Sequence, residues 1–253
     1  IQNMNIYLNT FRSGEGLPRS IRGVHMVGSG YLEDHAALVN ALISLHEATL
    51  DIRWLEEALV RSDLMISTFW DIAEGVFYDV PAQGNLPVRP LDYYDGVTPS
   101  GLSSAIEALH RLSFISDDQR YRDIVIGQQN KYFEIAVEHP LSFSNWLCVM
   151  LDRLVGGVEI AIVSRANHSE SAMALRDVLF RNFNPNRALV GDTNRDIDNL
   201  AVLITETLNE QHKQGLTLDG KQGENIFATS GMTVTPGRAN RSVVSAEIVI
   251  NDL

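Results

Sequence analysis

Carboxylates at two predicted helix starts are the residues of this sequence best placed for chemistry. Glu33 and Asp34 open the apolar-patterned stretch 30–51, and Asp95 follows two tyrosines in the loop before another predicted helix. A carboxyl group whose pKa is raised can act as a general acid, while an ionised neighbour acts as a base or nucleophile. We therefore predict Asp34 and Asp95 as a catalytic pair, with Glu33 as a further catalytic carboxylate.

Each carboxylate also has a structural alternative. Glu33 can simply face water in the first helical turn, where the helix dipole favours anions. Asp34 can accept a hydrogen bond from the start of its helix, and Asp95 can tie its loop to a helix end. Paired glycosidic carboxylates lie within roughly 10 Å of each other, so the distance between the two carboxyl carbons decides between these interpretations.

Five polar or aromatic residues near these carboxylates form the predicted substrate-binding set: Tyr93, Tyr94, Ser100, His35 and Trp70. The tyrosines would orient the ligand, and His35 is a candidate proton carrier. As alternatives, Ser100 can hydrogen-bond locally to a helix start and Trp70 can pack in the core. The histidines show no HxH or HExxH spacing, so we predict neither a metal site nor a cofactor.

Composition narrows the range of partners. The chain has 20 Lys and Arg against 32 Asp and Glu, a net charge of −12, and no basic patch. We therefore expect no nucleic-acid partner. No apolar run reaches the roughly 18 residues of a membrane span, so we expect a cytoplasmic protein without a membrane contact. The single cysteine, Cys148, excludes an internal disulfide, and its apolar surroundings predict a buried thiol.

Apolar residues at helical spacing predict antiparallel helix pairs through the first ~155 residues. The predicted helices are 30–51, 52–71, 103–115, 117–140 and 141–155. Thr98 is the predicted cap of the third of these helices, and the alternating stretch 75–90 predicts a β-hairpin inserted before it. The segment LPRSIR is a candidate short strand, while the stretch GSGYLE has no convincing strand before it.

The pattern changes after residue 156. Apolar runs at 158–164 and 186–191 flank a predicted helix, which suggests a small βαβ unit with a parallel strand pair. We therefore predict three parts: a helical part at 1–156, an α/β appendage at 157–191, and an α+β tail at 192–253.

Ordered motifs give the first ~190 residues a family resemblance. They include GYLEDHA, LHEAT, RWLEEAL, FWD, YYDGVTPSG and the late strand VEIAIVS. Residues ~15–190 resemble the thioredoxin-domain-containing family typified by spermatogenesis-associated protein 20. The resemblance implies a mainly α fold, the later part of an (α/α)6 barrel akin to six-hairpin glycosidases and sugar 2-epimerases. It also implies carbohydrate binding or isomerisation, with a sugar-like ligand held by carboxylates at the barrel mouth.

We expect this chain to hold an incomplete barrel, because the thioredoxin-like domain and the opening hairpins of that family are absent. The truncated chain is expected to be inactive even where the parent is an enzyme. Exposed hairpin faces would then promote self-association. The alternative function is a non-catalytic binding or structural fragment.

The tail resembles a different family. The stretch 196–253, most specifically LNEQHKQGLTLDG, is similar to the flagellar hook-associated junction protein. The resemblance implies a flagellar structural segment, and the tail alone would suggest a location in the bacterial flagellum. Because an axial flagellar protein and a helical barrel have no physical connection, we expect a joined reading frame with its seam near 190–194.

Overall fold

A computed structural model describes residues 1–10, 16–22, 25–82, 88–116, 118–156, 158–163, 169–181 and 187–192. All of these residues belong to one compact unit, Ile1–Ile197. The unit is mainly helical and carries small two-stranded sheets. The predicted tail at 192–253 lies almost entirely outside the described residues, and the predicted domain boundaries stay predictions.

Seven α-helices are present in the described part of the chain: α1 Gln2–Thr10, α2 Leu32–Thr49, α3 Ile52–Phe69, α4 Gly101–Ile115, α5 Gln119–Glu138, α6 Ser144–Val155 and α7 Ser169–Phe180. The strands are β1 Pro18–Arg22, β2 His25–Ser29, β3 Trp70–Asp71, β4 Val76–Phe77, β5 Val158–Val163 and β6 Arg187–Asp192. A single 3-10 turn, Pro140–Phe143, precedes α6. None of the described helices combines the length and the apolar character needed to cross a bilayer.

The predicted helical pair at 30–71 is confirmed as α2 and α3, which are joined by a two-residue turn. Leu50 ends α2 in the left-handed region, with φ 56°, and its N–H donates to the carbonyl of His46. Asp51 then caps α3 by accepting the N–H of Arg53 at 3.0 Å. The helices pack through buried side chains such as Val39 and Trp54.

Helices α2, α4 and α6 run parallel in one layer. Asn40 and Glu47 of α2 contact Ser104 and Arg111 of α4 in the same order along both helices. Side-chain hydrogen bonds join α4 to α6 in the same ascending order. Helices α3 and α5 pack against this layer, and Arg120 of α5 pairs with Asp63 of α3. The result is two layers of alternating helices around a shared apolar core.

The β-hairpin predicted over 75–90 stays a prediction, because residues 83–87 lie outside the described part of the chain, while β4 at Val76–Phe77 pairs with the earlier strand β3. Strands β3 and β4 pair at Trp70–Phe77 and Asp71–Val76, so the turn lies at 72–75. Asp71 closes this turn because its Oδ1 accepts the N–H groups of Ala73 and Glu74, and Gly75 follows with a positive φ of 61°. The turn residues follow α3 directly and set the pairing of β3 with β4. This pairing comes earlier in the chain than the proline- and glycine-containing stretch.

Three local predictions need correction. Ser100, not Thr98, caps α4, because its Oγ accepts the N–H of Ser103 at 3.1 Å. The segment before GSGYLE is strand β2, which pairs antiparallel with β1. Cys148 is exposed rather than buried, because it lies on a side of α6 that the core does not cover.

The predicted parallel strand pair is confirmed as β5 and β6, with α7 between them in sequence. Strand β6 lies against the end of α2. The N–H of Gly191 donates to Nε2 of His46 at 3.3 Å, and a Cβ at this glycine would come within 2.5 Å of Leu50. The close contact explains why a residue without a side chain occupies position 191.

Candidate functional site

The starts of α2, α4 and α6 lie side by side. A Cβ on Gly101, the first residue of α4, would lie 3.0 Å from the backbone nitrogen of Glu33 and 3.3 Å from Cβ of Leu32. Asp95 joins the start of α4 to that of α6 through hydrogen bonds to both. The carboxylates predicted at separate helix starts therefore share one end of the layer, which we call the mouth.

Asp95 uses both of its carboxylate oxygens to hold two helix starts. Oδ1 accepts the N–H of Ser100 at 2.9 Å and the hydroxyl of Ser103 at 2.6 Å. Oδ2 accepts the N–H of Asn145 at 2.8 Å and that of Trp146 at 3.5 Å. With a side chain only 8% exposed, Asp95 supplies partners for N–H groups that a helix cannot satisfy internally. These contacts favour the structural alternative for Asp95.

Glu33 and Asp34 share one cation, Arg19 of β1. Its Nη1 lies 2.6 Å from Glu33 Oε1 and within 2.8 Å of both oxygens of Asp34. Asp34 also accepts the N–H of Tyr31 at 2.8 Å, which gives this N–H group a partner at the start of α2. Sequence reasoning missed Arg19, although its place in the candidate strand LPRSIR was the available signal. The separation of the Asp34 and Asp95 carboxyl carbons stays the untested part of the predicted pair.

Asp79 is a carboxylate of the mouth that sequence reasoning missed. Its carbonyl accepts the N–H of Leu32 at 2.9 Å, so it lies at the start of α2. Its pKa is raised to about 6, chiefly by burial and also by the nearby charges of Asp92 and Glu33, against a backbone hydrogen bond from Asp92 that lowers it. A carboxyl group with this pKa can exchange a proton near neutral pH. The alternating FYDV pattern had suggested a strand residue instead.

Tyr93 and Tyr94 lie in an aromatic group beside the mouth. The ring of Tyr93 stacks on Tyr132 with centroids 5.1 Å apart, and on Phe143 at 6.1 Å. Tyr94 contacts the edge of Phe143 at 5.5 Å and is 43% exposed. The Phe143 ring in turn meets Trp146 at 6.0 Å. The two predicted ligand-binding tyrosines thus belong to one aromatic surface that reaches solvent at Tyr94.

The other predicted ligand-binding residues have structural contacts. Ser100 caps α4, and Trp70 is half-buried against Phe77 at 4.9 Å. His35 is 4% exposed with its ring edge-on to Phe69, and its Nδ1 has no hydrogen-bond partner. Burial lowers the pKa of His35 to about 4, so the ring is neutral at physiological pH. A ligand role for these three residues stays a prediction.

A histidine–carboxylate pair lies away from the mouth, towards the C-terminal ends of α4 and α6. Nε2 of His110 is 3.0 Å from Oδ2 of Asp152, and burial lowers the histidine pKa against the opposing effect of this carboxylate. The two residues lie 42 positions apart in the sequence, so no local pattern joins them. Within the described ranges, no group of three or more His, Cys, Asp or Glu residues is arranged to hold a metal ion.

Comparison with known proteins supports part of the predicted relationship. No protein-family model matches the chain. Over 96 residues it is 35% identical to spermatogenesis-associated protein 20 from Rattus norvegicus, from Mus musculus and from Homo sapiens. The chain is homologous to that protein over this stretch. The stretch is 37% of this chain and only 12% of each relative, so the chain spans a small part of their length.

The relatives give no support for the predicted flagellar segment. Its residues, 196–253, lie outside the part of the chain that the structure describes. The flagellar resemblance and the predicted seam near 190–194 therefore stay predictions.

Proposed function

We propose that this chain forms part of an (α/α) barrel whose mouth binds a sugar-like small molecule, with Asp79 as the group that exchanges a proton with it. The observation that carries the proposal is the alignment of three parallel helix starts, which gathers carboxylates and an aromatic surface at one end. Sugar-binding sites combine these two kinds of side chain, because carboxylates bind hydroxyl groups and aromatic rings cover apolar C–H faces.

Two features support the barrel. Helices α2, α4 and α6 form one layer while α3 and α5 form the other, the alternation expected of consecutive helical hairpins. Antiparallel pairing of α2 with α3 follows from a two-residue turn. Continued around a circle, this arrangement gives an inner ring of parallel helices whose starts meet at one mouth. The relatives' greater length is compatible with further hairpins in the whole protein.

The carboxylates of the mouth divide into two groups under this proposal. Asp34 and Asp95 hold helix starts through short hydrogen bonds, and Arg19 pairs with both Asp34 and Glu33. Asp79 is different because its pKa of about 6 lets it be protonated in part of the molecules near neutral pH. Hydrolysis and isomerisation of a sugar both need such a group. We therefore assign proton exchange to Asp79 and positioning to the predicted pair.

Replacing Asp79 with asparagine is expected to stabilise the protein at pH 7 while weakening ligand binding. Its pKa is higher folded than the ordinary 3.8, so the charged form costs stability above pH 6. Because the side chain keeps partial access to solvent, we expect a gain of about 1 kcal/mol. The gain should shrink below pH 6 and vanish below pH 4. Urea denaturation across this pH range measures it.

Asp123→Asn is the matched control, since Asp123 lies on the exposed side of α5 and accepts a hydrogen bond from the side chain of Gln119. It should change neither the pH profile nor ligand binding. Binding is measured by the shift in melting temperature that glucose, mannose, N-acetylglucosamine and maltose produce in the wild-type chain. A D79N variant that binds these sugars like wild type would refute proton exchange and contact by Asp79.

The second candidate is a non-catalytic binding fragment, which an apolar side of α6 favours. Leu151, Leu154 and Val155 are 59%, 64% and 66% exposed on this helix. Contiguous exposed apolar surface of this kind promotes association. We expect the chain to self-associate through α6 and to bind a hydrophobic dye.

Leu154→Glu is expected to shift the chain towards the monomer, because a carboxylate would be desolvated in the contact. Sedimentation velocity measures the shift. Ile72→Glu is the control, since Ile72 is 89% exposed at the β3–β4 turn, away from α6. A wild-type chain that is monomeric at all concentrations would exclude association through this helix.

A further inference from the structure

Three buried polar atoms on α5 have no hydrogen-bond partner: the hydroxyl of Tyr132, Oε1 of Gln128 and Nε2 of Gln129, and the first two lie on one face of the helix. Tyr132 is 7% exposed and Gln128 is 1% exposed. The residues are four positions apart, so their side chains lie on the same face of the helix. A buried polar atom without a partner costs about 1–3 kcal/mol, and folded proteins rarely keep one without a reason.

Neighbouring contacts fix the orientation of both groups. Nε2 of Gln128 donates to the carbonyl of Gly75 at 2.7 Å, which leaves Oε1 as the unpartnered acceptor. The Tyr132 ring stacks on Tyr93, one of the two tyrosines predicted to orient a ligand. Tyr132 also lies within electrostatic range of Tyr78, the residue before Asp79. Tyr132 therefore lies at the aromatic surface, and Gln128 lies one helical turn before it, beside the β3–β4 turn.

We propose that Tyr132 and Gln128 form a subsite for a neutral, hydroxylated ligand of sugar-like chemistry. The inference rests on the proposed function and specifies which side chains form hydrogen bonds with the ligand. A ligand hydroxyl would donate to Oε1 of Gln128 and another would bond to the Tyr132 hydroxyl, while Tyr93 and Tyr94 cover a C–H face. Both polar groups are uncharged, because a glutamine amide does not ionise and burial raises the pKa of Tyr132 to about 12. A neutral polyol is therefore favoured over an anion.

Tyr132→Phe tests the subsite, because it removes one oxygen and keeps the ring. The variant should fold with an unchanged or higher melting temperature, since it deletes a buried hydroxyl that lacks a partner. Its affinity for the neutral sugar that shifts the wild-type melting temperature most should fall about tenfold, the loss of one hydrogen bond. Glucuronate should shift wild type less than glucose does.

Tyr121→Phe is the matched control on the same helix. The Tyr121 hydroxyl donates to Asp63 at 3.3 Å, on the side of α5 that faces α3. This variant should lose some stability and keep wild-type sugar affinity. Comparing the two tyrosine variants separates loss of a hydroxyl in general from loss of the hydroxyl at the subsite.

The outcomes distinguish the subsite from the proposed function. If no sugar shifts the wild-type chain, the proposed function and the subsite both fail. If wild type binds, D79N binds weakly and Y132F binds normally, the subsite is wrong while the proposed function stands. A marked loss of stability in Y132F with unchanged affinity would show that the hydroxyl holds only a buried water, which also overturns the subsite.

Discussion

Replacing Asp95 with alanine is expected to lower the free energy of unfolding by about 2–4 kcal/mol, because two helix starts each lose a cap that contributes up to about 2 kcal/mol. The substitution leaves the N–H groups of Ser100 and Asn145 without their carboxylate partners at two adjacent helix starts. It also removes the acceptor of the Ser103 hydroxyl. Urea denaturation of the purified variant at pH 7 measures the loss.

Asp92→Ala is the matched control in the same loop. Asp92 is exposed and its side chain accepts the N–H of Tyr94 at 3.1 Å, so its removal should cost less than about 1 kcal/mol. The loss of stability in Asp95→Asn should fall between those of the two alanine variants, because one oxygen remains to cap one helix. Wild-type stability in D95A would reject the structural interpretation and return Asp95 to the predicted catalytic pair.

The helices were predictable because their apolar residues recur at helical spacing over long segments. The α2 stretch illustrates this, since Leu32, Ala36, Val39 and Ile43 are all buried on one side. The short strands were harder, because β3 and β4 contain only two residues each and depend on the turn that Asp71 closes. Periodicity carries no information over two residues, so the pairing of β3 with β4 was not predicted.

The candidate site was predictable only in part, because its geometry depends on contacts distant in sequence. The helix-start placement of Asp34 and Asp95 follows from local pattern. The partners of these residues do not: Arg19 comes from a strand before α2, and Asn145 lies 50 residues beyond Asp95. A carboxylate that caps two helices and a carboxylate that binds a substrate can have the same local sequence. Only the tertiary contacts distinguish them.

Asp79 is a site residue that local sequence could not predict. Its residue type and its neighbours FYDV indicate nothing unusual. The pKa of Asp79 is raised because the fold buries this residue near Glu33 and Asp92. Glu33 is distant from it in the sequence, and a loop separates Asp92 from it. Electrostatic environment is a property of the folded chain, so perturbed carboxylates must be sought in the structure.

Acidification from pH 7 to pH 4 is expected to remove about 3 kcal/mol of stability through His35 alone. Burial lowers its pKa from 6.5 to about 4 in the folded protein. The unfolded chain therefore binds more protons between these two pH values, and stability falls as the pH drops through this window. A shift of one pKa unit corresponds to about 1.4 kcal/mol, which gives the expected size.

His35→Gln isolates this contribution, because glutamine fills a similar volume and does not titrate in this range. The variant should be less stable than wild type at pH 7, since the ring of His35 packs edge-on against Phe69. Its deficit should shrink steadily towards pH 4, as wild type alone loses the His35 contribution. Paired urea denaturation curves at several pH values measure the difference, and parallel pH profiles would contradict it. Because Nδ1 of His35 has no hydrogen-bond partner, protonation at this atom would place a charged N–H without an acceptor in the core beneath the mouth. The residue predicted as a proton carrier would then act as a neutral packing group throughout the physiological range.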